Sequence, residues 1–238
     1  MSPHLQDLDL AHPDQKTIQS FFNRIAGPYD FLNSFLSVGL DRYWRNRLVY
    51  ESLARSERSI LDLGVGTGKS LNAFLKRQQF DCAVGCDFSE QMLRTARDRV
   101  GKLSYLVACD FHEFPFGSET FDLIVGSFIL RSVQNLSKFF SEVRRLLRPG
   151  GKAAFLELTR PTNLLFRRLV YEPYLKFYVP WAGKLFSKHP DAYQFLSQSV
   201  QSFLEPTDLK KEFEWSGFVR VSLKSLSFGI ATVIQGIK

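Results

Sequence analysis

The sequence predicts an α/β fold in which a mostly parallel sheet of seven strands is covered by helices on both faces. From Ser59 onward, short apolar runs alternate with amphipathic helical patterns, as in strands joined by crossover helices. A glycine-rich turn follows the first of these runs, which is typical of nucleotide-binding sheets. We therefore expect one domain over residues 16–238, preceded by a loose polar tail at 1–15.

Helical patterns precede the first strand. Apolar residues three and four positions apart predict helices within residues 16–57, packed beside the sheet. The first helix is expected to end at Gly27-Pro28, because glycine and proline both interrupt a helix. The residues that carry the pattern are Ile18, Phe21, Phe22, Ile25, Leu32, Phe35, Leu36, Leu40, Trp44 and Leu48.

The apolar runs place strands at 59–63, 82–87, 103–108, 121–127 and 152–158, with two more at 218–226 and 228–237. Helices are predicted at 91–100, 136–147 and 206–216, and residues 148–151 form a turn that stops the second of these. The last two strands meet at Phe228-Gly229 and are expected to form an antiparallel pair that closes the sheet. Residues 163–203 form an aromatic, basic and helical insertion, which we call the lid segment.

The composition is that of a globular protein, with 45% hydrophobic and 23% charged residues. Neither a spanning apolar run nor a signal peptide is visible, so we expect a cytoplasmic enzyme. Cys82, Cys86 and Cys109 lack paired spacing, which predicts buried reduced thiols and no metal site. The net charge of +7 favours an anionic membrane surface or nucleic acid. No nucleic-acid motif supports the second, and we expect no such partner.

The glycine-rich turn is the strongest single motif. Residues 61–68 are LDLGVGTG, directly after the first strand and before a helix. Gly64 and Gly66 remove Cβ atoms where the backbone turns tightly and approaches a ligand, and Gly68 is expected to let the helix lie close to the sheet. Thr67 offers a hydroxyl and a backbone N–H. A tight turn without a ligand is the alternative, so the residues at the other strand ends matter.

Polar residues follow the next strands at the same carboxyl edge. Asp87, in the run Asp87-Phe88-Ser89, ends the second strand, where its carboxylate can accept both ribose hydroxyls; capping the next helix is the alternative, but Ser89 is available for that. Asp110 can take an adenine amino group, with Phe111 beside the ring, and Ser127 ends the fourth strand. A nicotinamide dinucleotide is the rival ligand. The GxGxG-Lys69 sequence and the lack of a second nucleotide-binding half argue against it.

The chain from about Phe21 onward resembles the quinone-biosynthesis C-methyltransferases of the UbiE/MenG type. The resemblance implies a Rossmann-like class I S-adenosylmethionine methyltransferase with cofactor contacts at Thr67, Asp87, Asp110, Phe111 and Ser127. Gly64, Gly66, Gly68 and Phe88 are expected to complete the cofactor site. Two departures are Ile129-Leu130-Arg131-Ser132, where the family usually has Gly-Leu-Arg-Asn, and Lys69 in place of Asp. The segments that carry the resemblance are 29–33, 39–44, 61–68, 114–116, 121–122, 127–131, 147–151, 156–157, 193–196 and 228–231.

The resemblance implies methylation of a ring carbon of a polyprenylated quinol, either demethylmenaquinol or a benzoquinol precursor of ubiquinone. Such a carbon becomes nucleophilic when a phenolic proton is lost. Arg131 is the candidate that stabilises the phenolate or positions a water, and Tyr29 and Asp30 are expected to close over the ring. Packing and helix capping are the alternatives for these two. His112 and His189 are alternative bases.

The lid segment interleaves aromatic and basic residues from 164 to 188. It is expected to cover the substrate, and it also suits contact with an anionic membrane surface, where prenylated quinols reside. Two other functions compete: a cofactor-binding protein without catalysis, and a methyltransferase of RNA or another small molecule. No Asn-Pro-Pro-Tyr motif of base methylation is present. The oligomeric state and the choice of quinol stay open.

Overall fold

The computed structural model describes residues 29–111, 113–179, 181, 199–201 and 203–238. It contains a seven-stranded sheet of order β3-β2-β1-β4-β5-β7-β6. The strands are β1 Ser59–Leu63, β2 Cys82–Asp87, β3 Tyr105–Ala108, β4 Phe121–Ser127, β5 Leu147–Leu158, β6 Val219–Leu226 and β7 Ala231–Ile237. Strand β7 runs antiparallel to both of its neighbours, and the β3-β2-β1-β4-β5 pairs are parallel. The predicted fold class is confirmed.

Helices lie on both faces of this sheet. They are α1 Tyr29–Leu36, α2 Leu40–Ser52, α3 Lys69–Leu75, α4 Glu90–Val100, α5 Leu136–Leu146, α6 Leu164–Phe166 and α7 Pro206–Trp215. After α6 the lid segment continues through two π-helical stretches, Arg167–Tyr171 and Tyr174–Tyr178. One core cluster includes Phe140 and Phe155, and a second includes Trp44 and Phe74. A third, at the lid segment, includes Tyr171. The apolar faces of the amphipathic helices thus bury both sides of the sheet.

Four predicted strand starts differ from the structure, and that of β6 differs by one residue, since β6 begins at Val219. Strand β3 begins at Tyr105, because Gly101–Leu103 form a 3-10 turn after α4. Strand β5 already begins at Leu147, so the predicted turn at 148–151 lies inside its bounds, where the pairing register with β4 shifts. Strand β7 begins at Ala231, because Ser227–Gly229 form a 3-10 turn. For β3 and β7, a short turn occupies residues that the apolar pattern assigned to the strand. For β5, pairing with β4 extends back through the predicted turn to Leu147.

Several expectations fall outside the described residues. These are the tail at 1–15, the helix that ends at Gly27-Pro28, and residues 182–198 of the lid segment. Cys86 and Cys109 are buried as predicted, whereas Cys82 is only half-buried. Within the described part of the chain, no helix combines the length and the apolar character needed to cross a bilayer.

Candidate active site

The glycine-rich turn after β1 has the backbone that only glycine tolerates easily. Gly64, Gly66 and Gly68 have φ angles of +64°, +53° and +82°, in the left-handed region. A Cβ on Gly64 would lie 2.2 Å from Cγ2 of Ile129. A Cβ on Gly68 would press on Ala96 of α4 at 3.3 Å. Gly68 therefore brings two helices together, which corrects the expectation that it brings its helix close to the sheet.

Asp87 links this turn to the end of β2. Its carboxylate accepts hydrogen bonds from the backbone N–H of Gly66 at 2.8 Å and of Ser89 at 2.9 Å. Burial raises the pKa of Asp87 to about 6, although these N–H donors oppose the rise. The hydroxyl of Ser89 accepts from the N–H of Met92 and caps α4. Asp87 is therefore free of the capping role, and its carboxylate stays at the carboxyl edge of the sheet.

A cavity of about 400 Å³ opens between these residues and the end of β4, and we call it the glycine-loop cavity. The rings of Phe88 and Phe111 meet edge to face beside it, with centroids 5.7 Å apart. Asp110 is exposed next to Phe111. The cavity is lined by Gly64, Gly66, Asp87, Phe88, Met92, Phe111, Ser127, Phe128, Ile129 and Ser132. Six residues predicted as cofactor contacts therefore share one cavity.

The polar and aromatic side chains of this cavity suit a nucleoside. Asp87 offers a buried carboxylate that already accepts two N–H donors and has further lone pairs for hydroxyl groups. The two phenylalanine rings offer a surface for a base. Gly64 and Gly66 line the cavity without side chains, so their backbone is open to a ligand. S-adenosylmethionine contains ribose hydroxyls and an adenine base, and the residues of this cavity fit both.

Asp30 joins α1 to the glycine-rich turn. It accepts a hydrogen bond from the Thr67 hydroxyl at 2.7 Å and pairs with Arg99 at 2.7 Å. Burial alone would raise the pKa of Asp30, but Thr67, Arg99 and Lys69 together hold it below its usual value. Lys69 also pairs with Asp41 of α2 at 3.1 Å. Lys69, which departs from the family pattern, therefore helps to hold the first two helices on the loop.

A second cavity of about 680 Å³ lies under the lid segment, and we call it the lid cavity. Its wall is mostly apolar with a few convergent polar groups, as in sites for small aromatic molecules. Phe128 lines both cavities and separates them. The lid cavity is lined by Asn33, Leu36, Ser37, Asp41, Trp44, Arg45, Phe128, Arg131, Leu158, Tyr171, Tyr174, Leu175, Val179, Val200 and Ile230.

Arg131 reaches the lid cavity as a paired charge. Its guanidinium donates to Glu157, whose side chain is 0% exposed, against 8% for Arg131. Glu157 also accepts from the backbone N–H of Leu130 and of Leu158, each at 2.8 Å. The guanidinium carbon lies 6.0 Å from the ring centroid of Phe128. Arg131 is therefore beside the wall between the two cavities, with its charge balanced by a buried carboxylate.

The other proposed catalytic residues are less completely described. Tyr29 is the first residue of α1, and its side chain lies outside the described part of the structure, as do His112 and His189. The lid segment contributes two tyrosines instead. Tyr171 donates to the carbonyl oxygen of Thr159 at 2.8 Å, and Tyr174 donates to that of Leu36. Burial raises the pKa of both phenols, so they stay protonated.

Sequence reasoning missed a polar chain at the junction of the two cavities. Arg45 donates to the hydroxyl of Ser70, which shares a hydrogen bond of 2.8 Å with the hydroxyl of Ser127. One signal was present: Asp41, Arg45 and Leu48 recur at helical spacing on one face of α2. The pairing with Glu157 was also missed, because the sequence does not show which residue faces Arg131.

A model of the ubiE/COQ5 methyltransferase family matches residues 10–238. A demethylmenaquinone methyltransferase from Thermobifida fusca is 35% identical over 225 residues, covering 92% of this chain and 94% of the relative. One from Thermotoga maritima is 35% identical over 222 residues, covering 93% and 96%. A solved SAM-dependent methyltransferase from Thermotoga maritima has a TM-score of 0.66 at 20% identity, covering 92% of this chain and 99% of that one. Human N-acetylserotonin methyltransferase in complex with SAM has a TM-score of 0.63 at 16% identity, covering 95% and 60%.

Proposed function

Because the chain belongs to the ubiE/COQ5 methyltransferase family, we propose that it methylates a ring carbon of a polyprenylated quinol, with S-adenosylmethionine as the methyl donor. The observation that carries the proposal is the pair of adjoining cavities with Phe128 between them. The glycine-loop cavity has the polar and aromatic side chains that suit a nucleoside, and the lid cavity has the apolar wall that suits an aromatic ring. Relatives named demethylmenaquinone methyltransferase favour a naphthoquinol over a benzoquinol as the acceptor.

The glycine-loop cavity is the proposed cofactor site. Asp87 would hold the ribose hydroxyls, Phe88 and Phe111 the adenine ring, and the bare backbone of Gly64 and Gly66 the rest of the molecule. Bound S-adenosylmethionine supplies an electrophilic methyl group on a positively charged sulfur. Ser127, which lines this cavity, is a further proposed contact. Thr67, Gly68 and Asp110 are not among the lining residues, and their proposed contacts rest on the family resemblance.

The lid cavity is the proposed acceptor site. A neutral quinol carbon is a weak nucleophile, so the protein must align the ring and favour loss of a phenolic proton. Arg131 is placed to orient the acceptor oxygen or a water beside Phe128. Tyr29 and Asp30 belong to α1, which closes over the site, and Asp30 does so by anchoring that helix to Thr67.

We also propose peripheral contact with an anionic bilayer through the outer face of the lid segment. Leu164, Leu165, Leu169, Val170, Phe177 and Trp181 are each more than half exposed. Phe228 is 82% exposed and its ring packs on Phe166 at 5.5 Å. Arg168 and Lys176 lie among these residues and suit anionic headgroups. An outer groove of the lid segment shares Tyr174 with the lid cavity, so the groove lies next to the cavity and suits a prenyl tail.

The reaction is tested with radiolabelled S-adenosylmethionine and chemically reduced demethylmenaquinol or demethyl-methoxy-benzoquinol, followed by extraction of labelled lipid. We expect label in the naphthoquinol, and none in an Asp87→Ala control. Label in the benzoquinol alone would reassign the acceptor. Binding of the cofactor without label in either quinol would contradict the proposal. A parallel assay with RNA as acceptor tests the rival function.

Membrane contact is tested by sedimentation with vesicles of phosphatidylglycerol and phosphatidylcholine. The double variant Phe177→Ser with Phe228→Ser should sediment at least tenfold less than the native protein. Trp215→Ser is the matched control, because Trp215 is 75% exposed but lies on α7, outside the lid segment. Equal sedimentation of all three proteins would overturn this part of the proposal.

A further inference from the structure

The lid cavity contains charged side chains that differ in how they are balanced. Asp41 is paired with Lys69, and Arg131 is paired with Glu157. Arg45 makes its contact through a neutral group, the hydroxyl of Ser70. Among the described residues, its guanidinium forms no ion pair with a carboxylate, and its Nε is buried without a hydrogen-bond partner. Arg45 is therefore the cation of this cavity whose charge is not balanced by an ion pair among the described residues.

The position of Arg45 is fixed at the junction with the glycine-loop cavity. Its guanidinium carbon lies 5.0 Å from the ring centroid of Phe128, a cation–π distance. Through Ser70 it is linked to Ser127, which lines the other cavity. An acceptor ring bound in the lid cavity against Phe128 would thus contact the Arg45 guanidinium at the end of the cavity nearest the proposed methyl donor.

We propose that Arg45 is a catalytic residue that stabilises the anionic oxygen of the acceptor quinol. This inference rests on the function proposed above. The phenolic O–H bond breaks and its proton passes to water; the oxygen that remains accepts a hydrogen bond from Arg45. The ring carbon then forms its bond to the methyl group as the methyl–sulfur bond breaks and its electron pair stays on sulfur. Loss of the ring proton to water restores the aromatic ring, and the phenolate oxygen takes a proton from water to give the quinol product. Arg45 neither gains nor loses a proton.

The groups around Arg45 leave its charge available. Asp62 on β1 lies within electrostatic reach of Arg45 and its burial raises its pKa to about 7, but among the described residues the two side chains form no ion pair. Tyr171 and Tyr174 face the same cavity as neutral phenols. Arg131 adds a second guanidinium whose field is largely cancelled by Glu157. An unbalanced, preorganised cation is the arrangement that lowers the free energy of a developing oxyanion.

The test compares Arg45→Met and Arg45→Lys with Arg42→Met, a control with the same loss of charge at an exposed position of α2. With a quinol that the native protein methylates, kcat/KM should fall about 100-fold in Arg45→Met, the range seen when one oxyanion donor is removed. The acidic limb of the pH–rate profile should move to higher pH. Arg45→Lys should recover part of the loss, and Arg42→Met should match the native protein. Calorimetry should give the same affinity for S-adenosylmethionine in every folded variant.

A second readout does not depend on turnover. The absorbance of a bound methoxynaphthol reports its phenolate fraction, which should be several-fold larger on the native protein than on Arg45→Met. If Arg45→Met does not fold, Arg45→Gln is measured in its place. A larger phenolate fraction on the native protein, without methylation of any quinol, would overturn the proposed function and keep the role of Arg45. Methylation with unchanged kcat/KM, pH limb and phenolate fraction in Arg45→Met would overturn the role of Arg45 alone.

Discussion

The buried pair of Arg131 and Glu157 makes a sharp prediction about stability. Arg131→Met leaves a carboxylate that is 0% exposed with its three backbone donors but without a counter-charge. Glu157→Gln leaves the Arg131 guanidinium, which is 8% exposed, without a counter-charge. Removing one partner of such a pair costs about 3–5 kcal/mol. The double variant removes both charges, so its cost should be about 2–3 kcal/mol less than the sum of the single costs.

Urea unfolding, followed by circular dichroism at pH 7.5, gives the free energy of unfolding for the four proteins of this cycle. The native fold of each variant is verified by its affinity for S-adenosylmethionine. Single costs that add to within about 0.5 kcal/mol would refute the reasoning. Arg131 would then carry a free charge, and the argument that Arg45 is the unbalanced cation of the lid cavity would fail with it.

Three further predictions concern the glycine-loop cavity and the sheet beneath it. Because burial raises the pKa of Asp87 to about 6, affinity for S-adenosylmethionine should weaken below pH 6 by about tenfold per unit; calorimetry that shows constant affinity down to pH 5 would contradict this. Gly64→Ala should abolish cofactor binding, since its Cβ meets Ile129 at 2.2 Å on a strained backbone; adding Ile129→Ala should restore part of it, and no recovery would argue against the clash. The raised pKa of Asp62, about 7 against 3.8, means that the native state holds this proton more tightly than the unfolded chain. Stability should therefore fall on the order of a few kcal/mol from pH 4 to 7. Asp87, whose pKa is also raised, contributes to the same fall, so a slope as steep in Asp62→Asn as in the native protein would exclude Asp62 as a source.

The strands and the glycine-loop cavity were predictable because their signals are local. Strands β1, β2 and β4 begin and end at the predicted residues, since each is a short apolar run bounded by turns. The carboxyl ends of parallel strands meet at one edge, so strand order alone brought Asp87 and Ser127 to one cavity. Where the apolar pattern ran into a turn, as at Gly101–Leu103, the start of the strand was misplaced.

The lid cavity was not predictable in the same way. Its polar chain joins Arg45 to Ser70 and Ser70 to Ser127, positions that are 25 and 57 residues apart. Glu157 meets Arg131 from the next strand, 26 residues away. Such contacts depend on how helices lie across the sheet, which apolar periodicity does not encode. Gly68 shows the same limit, because its need for space comes from α4 rather than from the sheet.

Phe128 shows how selection for activity opposes backbone preference. Its φ angle of +63° costs a non-glycine residue about 1–2 kcal/mol, and glycine or asparagine would suit that backbone better. Either replacement would remove the ring that keeps the two cavities apart. A stabilising redesign guided by dihedral angles alone would choose this position early, and it would merge two chambers into one. Phe128 therefore has an unfavourable backbone conformation at the position where its ring lies between the two cavities.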